Sequence, residues 1–335
     1  MIFQNIEEAL KNEPSYRLKQ IKKALFSDLI ESWDQASTLS QELRKNLTEV
    51  YPLPELKLKK LLTSKDEQTT KALLELSDGQ SIESVLMKHE DGRRTICVSS
   101  QVGCKMNCQF CATGQQGFKR DLSSEEIIAQ VLFFARLLKQ AKEKITNIVF
   151  MGMGEPFLNY DNVLEAIKTI NSKEGMNLAS RKISISTAGI PKLIEKLAKE
   201  PLQVNLAISL HAPTDELRSK LMPINRTYPI QDVLKAVDSY LAQTNRKVMF
   251  EYLMIDGVND GPEQAQELSR IMKKSLYFLN LISFNPVSHC EFKPSPGWKI
   301  KEFGAILERA GVAFTQRYRF GQEIEAACGQ LAGEK

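Results

Sequence analysis

The 335-residue chain is predicted to be an α/β protein with a parallel sheet, preceded by a small helical part. Two observations predict this. Strand-like and helical stretches alternate from about residue 95 onward, and glycine-rich or hydroxyl-bearing motifs recur where the strands end. A composition of 42% hydrophobic and 26% charged residues supports a large core, and no apolar run reaches the roughly 18 residues a membrane helix needs. With no signal peptide, a cytoplasmic location is expected, and six cysteines there point to metal binding or catalysis before disulfides. The net charge of +4 permits a nucleic-acid partner without demanding one.

Residues 1–75 read as a helical accessory domain, because Ile6 and Leu10, then Leu18, Ile21 and Leu25, keep helical spacing. The basic stretches 19–23 and 57–60 are local, and acidic residues balance them across the segment. Residues 76–94 read as a connection carrying a short strand around Val85 and Leu86, residues 95–320 as the main domain, and residues 321–335 as a C-terminal tail. Within the main domain, strands are expected at 95–99, 145–151, 182–187, 204–210, 248–255 and 280–284. The helix before the second of these is marked by Ser123 with Glu126, a capping-box pair, and by Ile127, Val131, Phe134 and Leu138 along one face. Repeated βα units place a site at the C-terminal ends of the strands, whether the sheet closes into a barrel or stays open.

Cys104, Cys108 and Cys111 follow the first strand in the spacing CxxxCxxC, in a loop punctuated by Gly103, Asn107, Gly114 and Gly117. Thiolates suit zinc, copper(I) or iron–sulfur clusters, and a structural zinc site would close its tetrahedron with a fourth ligand at short spacing. None is near, since His89, His211 and His289 are all distant in sequence. A [4Fe–4S] cluster with one open iron fits better than zinc or three inert thiols. Further along, Met151-Gly-Met-Gly154-Glu155-Pro156, Ser186-Thr187, Ser209-Leu210-His211 and Asn285-Pro286 each end a strand, and Glu155 suits an ammonium group. Cys97 has the look of a packed strand residue, whereas Cys328 stands among Ala326, Ala327 and Gly329 in a segment with the look of a mobile tail. His289 beside Cys290 could suggest a base and a nucleophile, but adjacency in sequence does not make them face each other.

These motifs resemble those of radical S-adenosylmethionine enzymes, whose signature is CxxxCxxC with an aromatic, here Phe110, before the last cysteine. CVSSQVGC, FCATGQQGF, MGMGEP, SLHAP, MPIN and AACGQL further resemble the bacterial RNA adenine methyltransferases of the RlmN and Cfr type, from about residue 5 to residue 333. The resemblance implies a partial (βα)6 barrel with an N-terminal helical accessory domain. It implies a [4Fe–4S] cluster on Cys104, Cys108 and Cys111, and S-adenosylmethionine held by Gly154, Glu155, Ser186, Ser209, Leu210, His211 and Asn285. It also implies two S-adenosylmethionine molecules per turnover: one methylates the Cys328 thiolate, and the second yields a 5′-deoxyadenosyl radical that removes hydrogen from that S-methyl group. The carbon radical then adds to an adenine. Cys97 resolves the protein–RNA crosslink, leaving a Cys97–Cys328 disulfide to be reduced, and Glu83 matches the proton acceptor, one residue further from Cys97 than in a relative.

The implied partners are 23S rRNA, at an adenosine of the peptidyl-transferase centre, tRNA, at an adenosine beside the anticodon, and an electron donor such as flavodoxin with its reductase. The protein is expected to act as a monomer without a membrane. Pro156 and Gln115-Gln116-Gly117-Phe118 favour methylation at C2, as in the RlmN type, whereas Phe320 before Gly321 leans toward the Cfr type, which methylates C8 and gives antibiotic resistance. Glu323, Asp121 and the lack of a basic C-terminal tail are milder departures from the pattern. A non-catalytic RNA-binding protein with a structural cluster, and a zinc-stabilised module, are the alternatives from other classes.

Overall fold

The computed structural model describes residues 6, 10, 13–54, 56–288, 290–317 and 320–333. The helical part holds α1 (Tyr16–Lys23), extended by a wider turn over Ala24–Asp28, and α2 (Gln41–Val50). Ser40 caps α2 by accepting from the Leu43 N–H, and Leu43 and Leu47 face inward. Trp33 is buried, its indole N–H donating to the Tyr51 carbonyl at 2.8 Å.

Helix does not continue to residue 75. Lys57–Thr63 (β1) and Thr69–Glu75 (β2) are strands, and with Ser81–Lys88 (β3) they form an antiparallel meander. The physical reason is legible in the turns. Asp78-Gly79 sits between β2 and β3, and Gly79 takes φ +78°, the conformation a tight hairpin needs. The strand expected around Val85 and Leu86 is part of β3, which pairs on one side with β2 and on the other with Arg94–Cys97 (β4), so residues 76–94 belong to the sheet as well as connecting its parts.

From β4 onward the sheet is parallel. Asn147–Phe150 (β5), Ile183–Thr187 (β6), Asn205–Ser209 (β7), Val248–Met254 (β8) and Tyr277–Ser283 (β9) follow in spatial order, giving the six parallel strands of a partial barrel. A short strand, Phe314–Gln316 (β10), adds to β9 in parallel and was not expected from sequence. Among the described residues the sheet is thus mixed and has ten strands, with the meander attached at the β4 edge.

Helices return the chain between the parallel strands. In α3 (Ser124–Gln140) the capping box is present, with the Glu126 N–H donating to Ser123 Oγ and the Ser123 N–H to Glu126 Oε2. Ile127, Val131, Phe134 and Leu138 are all buried against the sheet, each contributing about 1.5–3 kcal/mol. Among the described residues no helix is long and apolar enough to cross a membrane.

The tail is packed down. Ala326, Ala327, Gln330 and Leu331 are buried. Segment 320–333 runs from the meander to the mouth of the barrel, where it carries Cys328. His289 lies outside the described residues, so its pairing with Cys290 has no structural account.

Candidate active site

The cysteine loop is shaped by its backbone. Gln101–Gly103 and Phe118–Asp121 form a short antiparallel ribbon that closes the loop, and the Cys104 N–H donates to the Gly117 carbonyl at 2.8 Å. Gly103 has φ +75°, and a Cβ there would lie 1.9 Å from that carbonyl oxygen, so no other residue fits. Asn107 is left-handed at φ +49°, turning the chain between the first two thiols.

One cavity at the C-terminal ends of the strands is lined by Cys104, Cys108, Cys111, Gly154, Glu155, Ser186, Ser209, His211, Glu251, Arg317 and Cys328, among others. The three triplet thiols therefore share a space with the expected methyl carrier, though Cys328 is more than 200 residues away in sequence. Among the described residues no three ligating side chains are gathered for a single metal ion. A cluster that gives each thiolate its own iron needs a wider spread of sulfurs than one zinc. Burial pushes the Cys104 thiol up to about 12 and raises Cys108 well above the usual thiol range, so a cationic centre is what would hold them as thiolates.

Glu155 is buried, and burial raises its pKa. Its oxygens accept the N–H groups of Phe157 (3.0 Å) and Ala188 (2.7 Å), which orient the carboxylate while leaving further lone pairs for a cation. Gly154 has φ +99°, and a Cβ would meet the Gln101 Cβ at 2.5 Å. Ser186 and Ser209, on neighbouring strands, bring their hydroxyls to 3.4 Å. His211 is buried with φ +58°, its Nδ1 accepts the Leu253 N–H at 3.0 Å, and Phe110 stacks edge-on at 4.8 Å. Burial, helped by the charge of Arg218, pushes its pKa down to about 3, so the ring is neutral with its remaining proton on Nε2.

The other expected residues stand outside the lining. Leu210 has its side chain in the core and its N–H and C=O engaged by Glu251 and Arg218, so it presents nothing to the cavity. Asn285 donates to the Cys328 carbonyl at 3.2 Å, and its buried Oδ1 has no partner. That orphan acceptor beside the cavity is a place for a ligand hydroxyl or amine, as on S-adenosylmethionine. Cys97 ends β4 just behind the lining. Burial, reinforced by the neighbouring Cys328, raises its thiol to about 12. Both cysteines are free thiols, and Cys328 is open to the cavity although protein surrounds it and burial raises its pKa. Glu83 is buried in β3, where it pairs with Lys71 and accepts N–H groups from the tail, away from the cavity lining.

Two arginines escaped the sequence reading. Arg218 is fully buried and donates to the carbonyls of Ala188 (2.6 Å), Ser209 (3.0 Å) and Leu210 (3.1 Å) and to Asn225 Oδ1 (2.9 Å), tying together the ends of β6 and β7. Its LMPIN neighbour Asn225 was the available signal. Arg317 reaches Glu251 at 3.4 Å, and Asn280 fixes Glu251 from the other side at 2.9 Å. Burial lowers the Arg317 pKa, but Glu251 and the Cys328 and Cys97 thiols more than reverse this. The guanidinium is the cation shared by the two cysteines.

The geometry agrees with comparisons to known proteins. A family profile described as the radical SAM superfamily matches residues 98–268. The chain is 46% identical over 323 residues to a protein of Nitrosopumilus maritimus named ribosomal RNA large subunit methyltransferase N, covering 94% of this chain and 92% of that one. It is 44% identical over 333 residues to a probable dual-specificity RNA methyltransferase RlmN of Thermoanaerobacter sp., covering 99% and 96%. Among solved structures, a radical SAM methyltransferase from Sphaerobacter thermophilus superposes with a TM-score of 0.96 at 44% identity, covering 98% and 97%.

Proposed function

The chain belongs to the radical S-adenosylmethionine superfamily and, within it, to the RlmN family of RNA methyltransferases, and from that premise we propose that it methylates C2 of adenosine in 23S rRNA and in tRNA through a methyl group carried on Cys328. The observation that carries the proposal is the meeting of Cys328 with Cys104, Cys108 and Cys111 in one cavity, with Cys97 directly behind.

Cys104, Cys108 and Cys111 would hold a [4Fe–4S] cluster, with Gly154, Glu155, Ser186, Ser209, His211 and Asn285 around S-adenosylmethionine. When bound, this pair supplies a 5′-deoxyadenosyl radical able to remove hydrogen from a methyl group. The protein's own groups do the rest. Glu155 binds the ammonium, and neutral His211 packs against Phe110. Cys328, as thiolate, takes the methyl of a first S-adenosylmethionine by displacement, with S-adenosylhomocysteine as the leaving group, and a second molecule would be consumed in removing one hydrogen from that S-methyl group. Arg317 favours the thiolate at Cys328 and at Cys97, and Glu251 tempers that field. The detour has a chemical reason: adenine C2 is too electron-poor to attack a methylsulfonium, yet it accepts a carbon radical. Once the carbon radical has added to C2, the adduct would return one electron to the cluster and lose its ring proton. The Cys97 thiolate then attacks the sulfur of Cys328, and the sulfur–carbon bond breaks with its electron pair going to the methylene carbon. That carbon takes a proton to become the methyl group of the released RNA, and the disulfide left behind must be opened by an external reductant. Glu83 can serve as proton acceptor once the tail amides release it. A flavodoxin-like donor, a cytoplasmic setting and a monomeric state complete the proposal.

The test is anaerobic reconstitution with unmodified 23S rRNA fragments and tRNA, followed by chromatography of the nucleosides. The expected product is 2-methyladenosine. A product of 8-methyladenosine would move the chain to the Cfr-type activity toward which Phe320 leans, and no methyladenosine under reducing conditions would sink the proposal.

A further inference from the structure

Lys71 forms a buried ion pair with Glu83, and the proposed reaction gives the lysine no part. Lys71 Nζ lies 2.9 Å from Glu83 Oε1, and both side chains are 8% exposed. Among the described residues, the other hydrogen bonds of the two side chains go to one segment. Lys71 Nζ also donates to the Glu325 carbonyl at 3.0 Å, and Glu83 Oε2 accepts the N–H of Ala332 at 2.7 Å and of Gly333 at 3.3 Å. One pair therefore grips the tail three residues before Cys328 and again four and five residues after it. Gly333 is close-packed as well, since a Cβ there would stand 3.0 Å from the Ser81 carbonyl.

A buried ion pair is a poor device for stability alone, because desolvation offsets much of the attraction, and its better-attested use is to fix one arrangement over others. The arrangement fixed here is that of the Cys328 loop. Between the two grips, the Ala112 N–H donates to the Gly329 carbonyl at 2.8 Å, Asn285 to the Cys328 carbonyl, and Gln330 to the Pro286 carbonyl at 3.0 Å. These central contacts come from the cysteine loop and the end of β9. The outer ones come from the meander.

We propose that Lys71 and Glu83 form a latch that holds the Cys328 segment at the barrel mouth, and that Lys71 is a positioning residue for transfer to and from Cys328. The inference rests on the assignment of Cys328 as methyl carrier. It also makes the meander, β1 to β3, part of the catalytic apparatus through the tail it anchors.

The test uses full-length, cluster-loaded Lys71→Met and Lys71→Arg with three readouts: iron content with reductive cleavage of S-adenosylmethionine, methylation of Cys328 by peptide mass spectrometry, and hydrogen exchange at the Ala332 and Gly333 amides. In Lys71→Met, Cys328 methylation should slow and the two amides should exchange faster, each by about tenfold or more, as loss of a charged hydrogen bond implies. Iron content and cleavage should stay near wild type, and Lys71→Arg should restore most of both losses. Unchanged exchange and methylation, or a joint loss of iron, cleavage and thermal stability, would overturn the latch. If the wild type carries no methyl on Cys328, the functional reading fails, and the exchange measurement alone still decides the latch.

Discussion

Replacing Gly103 by Ala should empty the cysteine site while sparing the barrel. The new Cβ would stand 1.9 Å from the Gly117 carbonyl oxygen, and the obstacle is backbone, so a side-chain rotation cannot relieve it. Holding Ala at φ +75° costs about 1–2 kcal/mol, overpacking about 1–3 kcal/mol, and loss of the Cys104 N–H bond to Gly117 about 1 kcal/mol, together about 3–6 kcal/mol. The ribbon that closes the loop has only two strands, and such a ribbon is marginal alone, so the cost should open the loop before it unfolds the sheet. Gly117→Ala is the matched control, because its φ is also +75° but nothing lies within 4 Å of its Cβ position. It should lose only the conformational 1–2 kcal/mol or so. The assay is iron per chain after anaerobic reconstitution, with circular dichroism and Tm alongside. Gly103→Ala should hold little iron and keep near-native helix content, and Gly117→Ala should hold most of it. Equal iron in the two variants would refute the reasoning.

Other predictions follow from single groups. His211 is protonated near pH 6.5 when unfolded but only near pH 3 when folded, so it leaves stability untouched above pH 6.5 and erodes it as the pH falls below. Metal-free His211→Gln should therefore lose about 2 kcal/mol less than wild type between pH 7 and pH 5 in denaturant unfolding, and an equal loss would count against a buried neutral imidazole. Arg218→Lys keeps the charge but not the fork that reaches three carbonyls, and should cost about 3–5 kcal/mol, read as a lowered Tm and unfolding midpoint. Cys97→Ala should accumulate a covalent protein–RNA adduct visible on denaturing gels, whereas Cys328→Ala should form neither adduct nor product.

What was legible in sequence depended on whether local residues suffice. The triplet could be read because metal chemistry depends on residue type and close spacing, and α3 because its cap and apolar face are written within 17 residues. Strands β1 and β2 were missed because Lys57 to Lys60 look like a solvated helical face, when they in fact decorate an exposed strand at the edge of the sheet. Arg317 and Lys71 were invisible for another reason. Each acquires its partners only when distant strand ends or the tail are brought together, and Arg218 differs only in having one nearby signal, its partner Asn225 in MPIN. The packed state of the tail was likewise hidden, since small residues around Cys328 suggest mobility until Glu83, Asn285 and Ala112 supply partners for its backbone.

The central claim is that the methyl carbon passes through Cys328 and not directly from S-adenosylmethionine to RNA. Methylation with S-adenosylmethionine deuterated at all three methyl positions tests it, by mass spectrometry of the methyladenosine released. A methyl carried on Cys328 loses one deuterium to the 5′-deoxyadenosyl radical before it joins the adenine and regains hydrogen afterward, so the account predicts a product methyl with two deuterons. A product that keeps all three would contradict it.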